Sequence, residues 1–491
     1  MAYSTKAKKP WVKAPVVKVP RQVRPWSNLQ IAIFEDFAHG QGNTQIDAYA
    51  GTSKTTTAIE GLFHLPTGTD AVACAFGSST QKELEKRTPE NVPALTFHAL
   101  GYRASRKMFP RTLLEKNKGE KLYGFIKAER GDAPETNEVR DSIAQAVALC
   151  KGYLAHTSEE IDVVLDRHDI DTFHDKREDF ISTVIKVMDG CKRQTNVMDF
   201  NDMIWFPNVF NMTLDKYDHV IVDECQDLNG AQINIAYNSV RNGGRIISVG
   251  DERQAIFAFA GADSNSINNI VSRLNSKRLP LSVTYRCCKS IVKLAQSIVP
   301  GYTAAPNAEE GLVEEIGESK LENMVKPGDF ILSRTNAPLM KWCLLLLKSG
   351  VPANIKGRDM GKSLAFMIKK SKAKSVEGFL EWLSEFTELE AARLVKAKRD
   401  PSVLHDKEEC LRIICEGAKT LADVDDNLDK LFKEIPDENK VILSTIHKAK
   451  GLERDRCFVL ANTLKIGKNI EEDNLAYVAW TRAKNALYLV R

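Results

Sequence analysis

The chain is poor in several features that would have narrowed its function. It has no C-x-x-C pair: of its 10 cysteines, Cys287 and Cys288 are adjacent and Cys410 and Cys415 are five apart. Neither is a familiar zinc spacing, so scattered reduced thiols are expected rather than a metal ribbon. No uncharged apolar run approaches the roughly 20 residues of a bilayer span, and no apolar signal segment follows Met1. A soluble, cytoplasmic protein without a membrane partner is therefore expected. A strong net charge is also missing; +4 permits nucleic-acid binding without arguing for it. Acidic residues are absent from 1–25, which carries Lys6, Lys8, Lys9, Lys13, Lys18, Arg21 and Arg24 among prolines. It reads as a disordered basic arm, either a solubilising tail or a contact to backbone phosphates. No repeat at solenoid periods is found.

What is present is globular. With 43% hydrophobic and 27% charged residues, 491 residues exceed one ordinary core, and the length suggests about three domains. Short apolar runs ending in polar residues alternate with helical text, the pattern of an α/β fold. In the first half these runs are "TQIDAYA", "DAVACAF", "PALTFHA", "HVIVDE" and "RIISVGD"; in the second they are "DFILSRT", "VPANIKG", "KVILSTIH", "RCFVLAN" and "ALYLVR". Charged helical text interrupts each half, over about 101–197 and about 364–437. The expected organisation is a first core over 26–280 and a second over 281–491, each a parallel sheet with a mainly helical insertion. Phe379, Leu380, Leu383 and Phe386 in the second insertion have the spacing of core packing. Ligands of such sheets bind beyond the carboxyl ends of the strands, where the polar residues fall.

The stretch "AYAGTSKTTTA" (48–58) is nearly a phosphate-binding loop, with Lys54 and Thr55 in place of its lysine and hydroxyl, but Ala48 and Ser53 where the pattern has glycine. Gly51 supplies some backbone freedom. If Ser53 needs a left-handed backbone, its Cβ costs about 1–2 kcal/mol. A second anchor is "HVIVDECQD", where an apolar run ends in Asp223 and Glu224. Nucleotide hydrolysis needs one acid to hold Mg²⁺ and another to orient or deprotonate water; Asp223 suits the first role and Glu224 the second.

Together with "SNLQIAIF", "AFGSSTQKELEKR", "TFHAL", "DFNDMI", "VGDERQAIFAFAGAD", "TYRCCKSI", "STIHKAKGLE" and "NLAYVAWTRAKNALYL", these segments resemble, in order, the motifs of superfamily 1 DNA helicases of the UvrD/Rep (PcrA-like) group. The resemblance implies two RecA-like cores in tandem and an ATP-dependent translocase and helicase, of 3′ to 5′ polarity, in replication, repair or recombination. ATP and Mg²⁺ are the implied cofactors. Single-stranded and tailed or forked duplex DNA are the implied partners, with replication or recombination proteins beside them. By resemblance, the loop Ala50, Gly51, Thr52, Ser53, Lys54, Thr55 and Thr56 holds the phosphates. Thr55 and Asp223 hold Mg²⁺, and Gln254 senses the γ-phosphate. Arg286 and Arg482 reach across as arginine fingers. Gln30 meets the adenine edge, Tyr285 stacks on the base and Glu453 meets the ribose. Phe97, Phe257 and Phe259 are the implied stacking residues for DNA, with Thr96, His98 and His447 as polar contacts.

Two departures stand out. Ala260 replaces an arginine frequent in the group, and the second insertion is short for it. The chain ends just past "ALYLV" at Arg491, so no appended nuclease domain is expected; the compact layout fits a phage-encoded or mobile-element enzyme. The alternatives are a hydrolysis-deficient ATP-binding accessory or clamp protein, and a translocase that strips proteins from DNA. Glu224, Gln254, Arg286 and Arg482 speak against the first, because such groups serve a transition state rather than ground-state binding.

Overall fold

The computed structural model describes residues 18–21, 24–116, 118–130, 137–168, 170, 177–256, 266–396, 400–432 and 439–491. Two six-stranded sheets organise the chain. In the first, the order across the sheet is Ala94–Thr96, Ala71–Ala75, Tyr217–Val222, Val240–Gly250, Thr44–Ala48 and Lys277–Leu281. In the second it is Leu312–Ile316, Ala483–Val490, Arg454–Leu460, Phe330–Ser333, Val441–Thr445 and Ala353–Ile355. Every pairing in both sheets is parallel. Parallel strands are covered on both faces, which is why "AVACA" and "VILST" are apolar or small throughout and buried at every position. The fold is thus the expected pair of α/β cores in tandem.

One strand ends earlier than the sequence suggests. "PALTFHA" leaves the sheet at Thr96, whose Oγ1 accepts from Ala99 N at 3.1 Å and caps a helix over Phe97–Met108. That helix packs closely on Phe200–Val209; a Cβ on Gly101 would lie 1.9 Å from the Met203 carbonyl oxygen, so only glycine permits the approach. The helical text from Gly101 to Met108 therefore belongs to this pair. Beyond it, Leu113–Leu114 pairs with Val197–Met198, and between them lie helices Lys118–Arg130, Asn137–Tyr153, Ser158–Arg167 and Arg177–Arg193. In the second half the helices are Arg358–Ser371, Val376–Lys396, Ser402–Cys415 and Leu421–Phe432. Phe379 and Leu383 are fully buried there, with Leu380 and Phe386 packed against the same cluster.

The basic segment needs correction from Lys18 onward, because it has partners on the first core. Val19 N donates to Lys86 O at 2.8 Å, Lys18 Nζ to Thr88 O at 2.9 Å, and Arg21 pairs with the buried Glu60. Residues 1–17 lie outside the described residues. The ten cysteines are all free and buried. Among the described residues, no helix is long and apolar enough to cross a membrane.

A buried ionic clasp joins the first helical insertion to its core. Lys118 Nζ donates to Asp202 at 2.9 Å and to the carbonyls of Cys191 and Gln194; Lys151 Nζ donates to Asp202 at 2.7 Å and lies 3.5 Å from Asp199. Phe206 and Trp205 face the two ammonium groups at 4.8 and 5.3 Å. Breaking one side of such a network leaves a buried charge uncompensated. Lys151→Met is expected to lower the stability of the first core by about 3–5 kcal/mol, read as an earlier transition in urea denaturation followed by circular dichroism.

Candidate functional site

Three adjacent strands of the first sheet, Tyr217–Val222, Val240–Gly250 and Thr44–Ala48, deliver their carboxyl ends to one cleft. Thr44–Ala48 runs into Tyr49–Ser53 and then the helix Lys54–Leu62. Gly51 has φ 70°, and a Cβ there would lie 2.5 Å from Arg286 Cβ. Ser53 has φ 63° and ψ 38°, so it does occupy the left-handed region that glycine favours. Thr52 is buried and turns its hydroxyl onto Tyr49 O at 2.8 Å, leaving backbone groups to form the cradle. Thr56 accepts from Arg87 Nη2 at 2.7 Å.

The lysine and threonine that open the helix Lys54–Leu62 meet the acids that follow the strand Tyr217–Val222. Thr55 Oγ1 donates to Asp223 Oδ2 at 2.8 Å, and Lys54 Nζ lies 3.9 Å from Glu224 Oε2. Burial, then the charge of Glu224, pushes the Asp223 carboxyl up to about 7. Burial acts on Glu224 in the same sense, but Lys54, Lys450, the Gln226 hydrogen bond and Arg482 outweigh it and hold Glu224 below its ordinary range. The two acids are driven apart: nearby cations outweigh burial at Glu224, while Lys54 and the Thr55 hydrogen bond do not outweigh it at Asp223. A divalent ion on Asp223 and Thr55 would add positive charge there, and this donor set suits Mg²⁺, which takes few protein ligands beside phosphate oxygens. Glu224 itself has φ 52°, a strained left-handed backbone for a non-glycine residue.

The strand Val240–Gly250 leads into Asp251, and Gln254 Nε2 donates to Asp251 Oδ2 at 2.6 Å. Lys450, from the second half, donates to both oxygens of Asp227, at 2.7 and 2.8 Å, and to Gln254 O at 2.8 Å. Arg286 Nε lies 2.5 Å from Glu453 Oε2, and Lys484 Nζ 2.9 Å from Glu453 Oε1. A ribose at Glu453 would have to share a carboxylate already paired at both oxygens. Arg482 is 1% exposed and, among the described residues, donates to neutral acceptors: Val478 O at 2.9 Å, Leu452 O at 3.2 Å and Thr481 Oγ1 at 3.2 Å. Burial, then Arg286, pushes it down to about 10. A buried guanidinium with neutral partners suits an incoming anion.

Gln30 is buried: its Nε2 donates to Thr57 Oγ1 at 3.0 Å, and its Oε1 accepts from Ser27 N at 3.1 Å and from Tyr285 OH at 3.4 Å. Tyr285, by contrast, is 47% exposed.

Residues 32–275 match the UvrD/REP helicase N-terminal domain and residues 367–491 the UvrD-like helicase C-terminal domain. The chain belongs to the UvrD/Rep helicase family. It is similar to F-box DNA helicase protein 1 of Schizosaccharomyces pombe, 24% identical over 91% of this chain and 55% of that one. It is also similar to ATP-dependent DNA helicase PcrA of Staphylococcus aureus, 23% identical over 65% of this chain and 49% of the relative. PcrA of Staphylococcus epidermidis is 24% identical over 53% and 38%. The chain spans about half the length of these curated relatives or less.

Among the residues of this UvrD/Rep chain expected to meet DNA, the structure corrects one placement. Phe97 is fully buried in the first core, because the helix that starts there turns its ring inward; it offers no face to a base in this arrangement. Thr96 spends its oxygen on the helix cap. His98 and His447 are half-buried, and burial, then Arg334 and Lys450, pushes His447 down to about 4. Phe257, Phe259 and Ala260 lie outside the described residues. Exposed rings missed by the sequence reading stand nearby: Phe76, 44% exposed just past the strand Ala71–Ala75, and Phe200, 61% exposed with its ring 6.0 Å from that of His98. Phe76 sits inside a segment already matched to the family, but only its exposure distinguishes it from a core residue.

The backbone at Ser53 gives a direct test. Ser53→Gly is expected to relieve about 1–2 kcal/mol of strain and to free the approach of phosphates. Thermal unfolding with and without ATP should show a higher Tm in both cases and a larger ATP-dependent shift than wild type.

Proposed function

We propose that the chain is an ATP-dependent single-stranded-DNA translocase and DNA helicase that moves 3′ to 5′ and opens tailed or forked duplexes in replication, repair or recombination. The observation that carries it is the opposition of Lys54, Thr55, Asp223 and Glu224 on the first core to Arg286 and Arg482 on the second. Arg482 is near enough to help hold the Glu224 carboxyl down. Groups of this kind act on charge that develops in the transition state. The family and the names of the similar proteins support the fuel and the substrate class.

In this reading Thr55 and Asp223 hold Mg²⁺, which when bound neutralises phosphate oxygens and orients the leaving group. Lys54 faces the terminal phosphates, and backbone N–H groups of Gly51–Lys54 line their cradle. Glu224, kept anionic by its cationic surroundings, orients the attacking water and takes its proton. Gln254, held on Asp251, senses the γ-phosphate. Arg286 and Arg482 complete the site only when the second core is against the first. Lys450 ties that core to Asp227 and Gln254, three residues from the half-buried His447 in the same motif, so a step at the phosphates is felt at the DNA-facing edge.

The test is phosphate release with Mg²⁺, with and without single-stranded DNA, paired with unwinding of 3′-tailed and 5′-tailed duplexes. Hydrolysis stimulated by DNA, unwinding from the 3′ tail, and loss of both by about 100-fold or more in Lys54→Ala are expected. ATP binding without hydrolysis would favour the accessory-protein reading, and unwinding untouched by Lys54→Ala would refute the role given to the loop.

A further inference from the structure

The turn that follows Glu224 fixes where its side chain lies. The backbone of Glu224 is left-handed, and Cys225–Asp227 follow it as a single tight turn. That sharp reversal brings the side chains of residues 224 and 226 together. Gln226 is 1% exposed, and its Nε2 donates to Glu224 Oε2 at 2.7 Å. Lys54 Nζ approaches the same oxygen, at 3.9 Å. Both contacts fall on one oxygen and leave Glu224 Oε1 unspent among the described residues.

The other end of the Gln226 amide is held as well. Its Oε1 accepts from Asp251 N at 3.1 Å, just past the strand Val240–Gly250. A backbone N–H can only donate, so it decides which way the amide lies and turns the NH₂ end onto the carboxylate. An amide offers an acceptor to one neighbour and a donor to the other, which a carboxylate or a thioether of the same length does not. Gly250 supplies the room: a Cβ there would lie 2.6 Å from Gln226 Oε1 and 2.6 Å from Cys225 Sγ.

The groups on either side of Gln226 both belong to the site. Asp251 holds Gln254 twice, accepting from its backbone N at 2.9 Å and from its Nε2 at 2.6 Å. Asp227, next in the turn, is held by Lys450 of the second core at 2.7 Å. The Glu224 carboxylate is thus tied, through one buried amide, to the segment that carries Gln254.

We infer that Gln226 is a positioning residue for hydrolysis: its amide pins Oε2 of Glu224, leaves Oε1 to take the proton of the attacking water, and couples that base to the segment carrying Gln254. This rests on the ATP-hydrolysing reading above. Gln226 acts through Glu224 and touches no substrate. A carboxylate free to rotate meets the water in the reactive geometry for only part of the time, so the loss falls on turnover and leaves ATP binding intact.

The experiment compares wild-type protein with Gln226→Met, which removes the amide, and Gln226→Glu, which keeps an acceptor for Asp251 N but loses the donor to Glu224. Glu224→Gln is added, alone and combined with Gln226→Met. ATP affinity is measured by calorimetry with Mg²⁺, and phosphate release at saturating single-stranded DNA. Gln226→Met and Gln226→Glu should each lower kcat by about 10–100-fold, the range of a lost hydrogen bond to a charged group, with Kd and KM for ATP within about twofold. In the Glu224→Gln background, Gln226→Met should change the rate by less than about twofold, because the group it positions is gone. Additive losses in that background, an equal loss of ATP affinity, or an unchanged kcat in both single variants would overturn the inference. Full activity in Gln226→Glu beside a loss in Gln226→Met would also overturn it, by placing the effect on Asp251. Wild-type protein that binds ATP without hydrolysing it would sink the ATPase reading and this inference with it, whereas active wild type beside equally active variants would sink the inference alone.

Discussion

The phosphate loop is held by the second half of the chain through its own backbone. Ala50 N donates to Tyr477 OH at 2.8 Å, Tyr302 OH donates to Ala50 O at 2.8 Å, and Tyr285 N donates to Gly51 O at 2.9 Å. The loop is therefore at once a phosphate cradle and the seam between the cores. Tyr302 and Tyr477 pack edge to face at 5.7 Å, deeply buried, so these hydroxyls sit where a donor without an acceptor would be expensive. Gly51 is needed at the same point because Arg286 leaves no room for a Cβ. A change in the loop must then be felt by the residues that follow Tyr285, the proposed arginine finger among them.

Buried charge of both signs gathers around that seam. Asp223, Asp227 and Asp251 are all pushed up by burial, while Arg482 is pushed down by it. Of these four buried carboxyls Glu224 is the one held below its ordinary range, by cations drawn from both halves: Lys54 from the first, Lys450 and Arg482 from the second. The strained backbones at Ser53 and Glu224 lie at the ends of neighbouring segments of the same cleft. Strain of this kind persists where the surroundings over-determine the conformation, which is the case beside a cradle tied to two tyrosines.

Much of the fold was legible because buried parallel strands are written as short apolar runs, and "HVIVDE" or "KVILSTIH" could hardly be anything else. The places that misled were decided by single side chains. Thr96 caps a helix where the apolar text continues, so Phe97 turns into the core instead of toward a base. The basic segment reads as disordered by composition, yet Arg21 has the buried Glu60 to meet. The lysine, threonine and acids of the site were legible as a motif. Tyr302 and Tyr477 were not, since their roles depend on partners far away in sequence, and exposure, which singles out Phe76 and Phe200, has no signature in the text.

On the proposed function, nucleotide on the loop governs how the two cores meet. Because the ten native cysteines are buried, dyes can be placed selectively on one introduced surface cysteine in each core. Fluorescence energy transfer between them, with and without a non-hydrolysable ATP analogue and Mg²⁺, is the most direct test. A nucleotide-dependent change in separation that disappears in Lys54→Ala is predicted; a separation indifferent to nucleotide, in protein shown to bind it, would contradict the account.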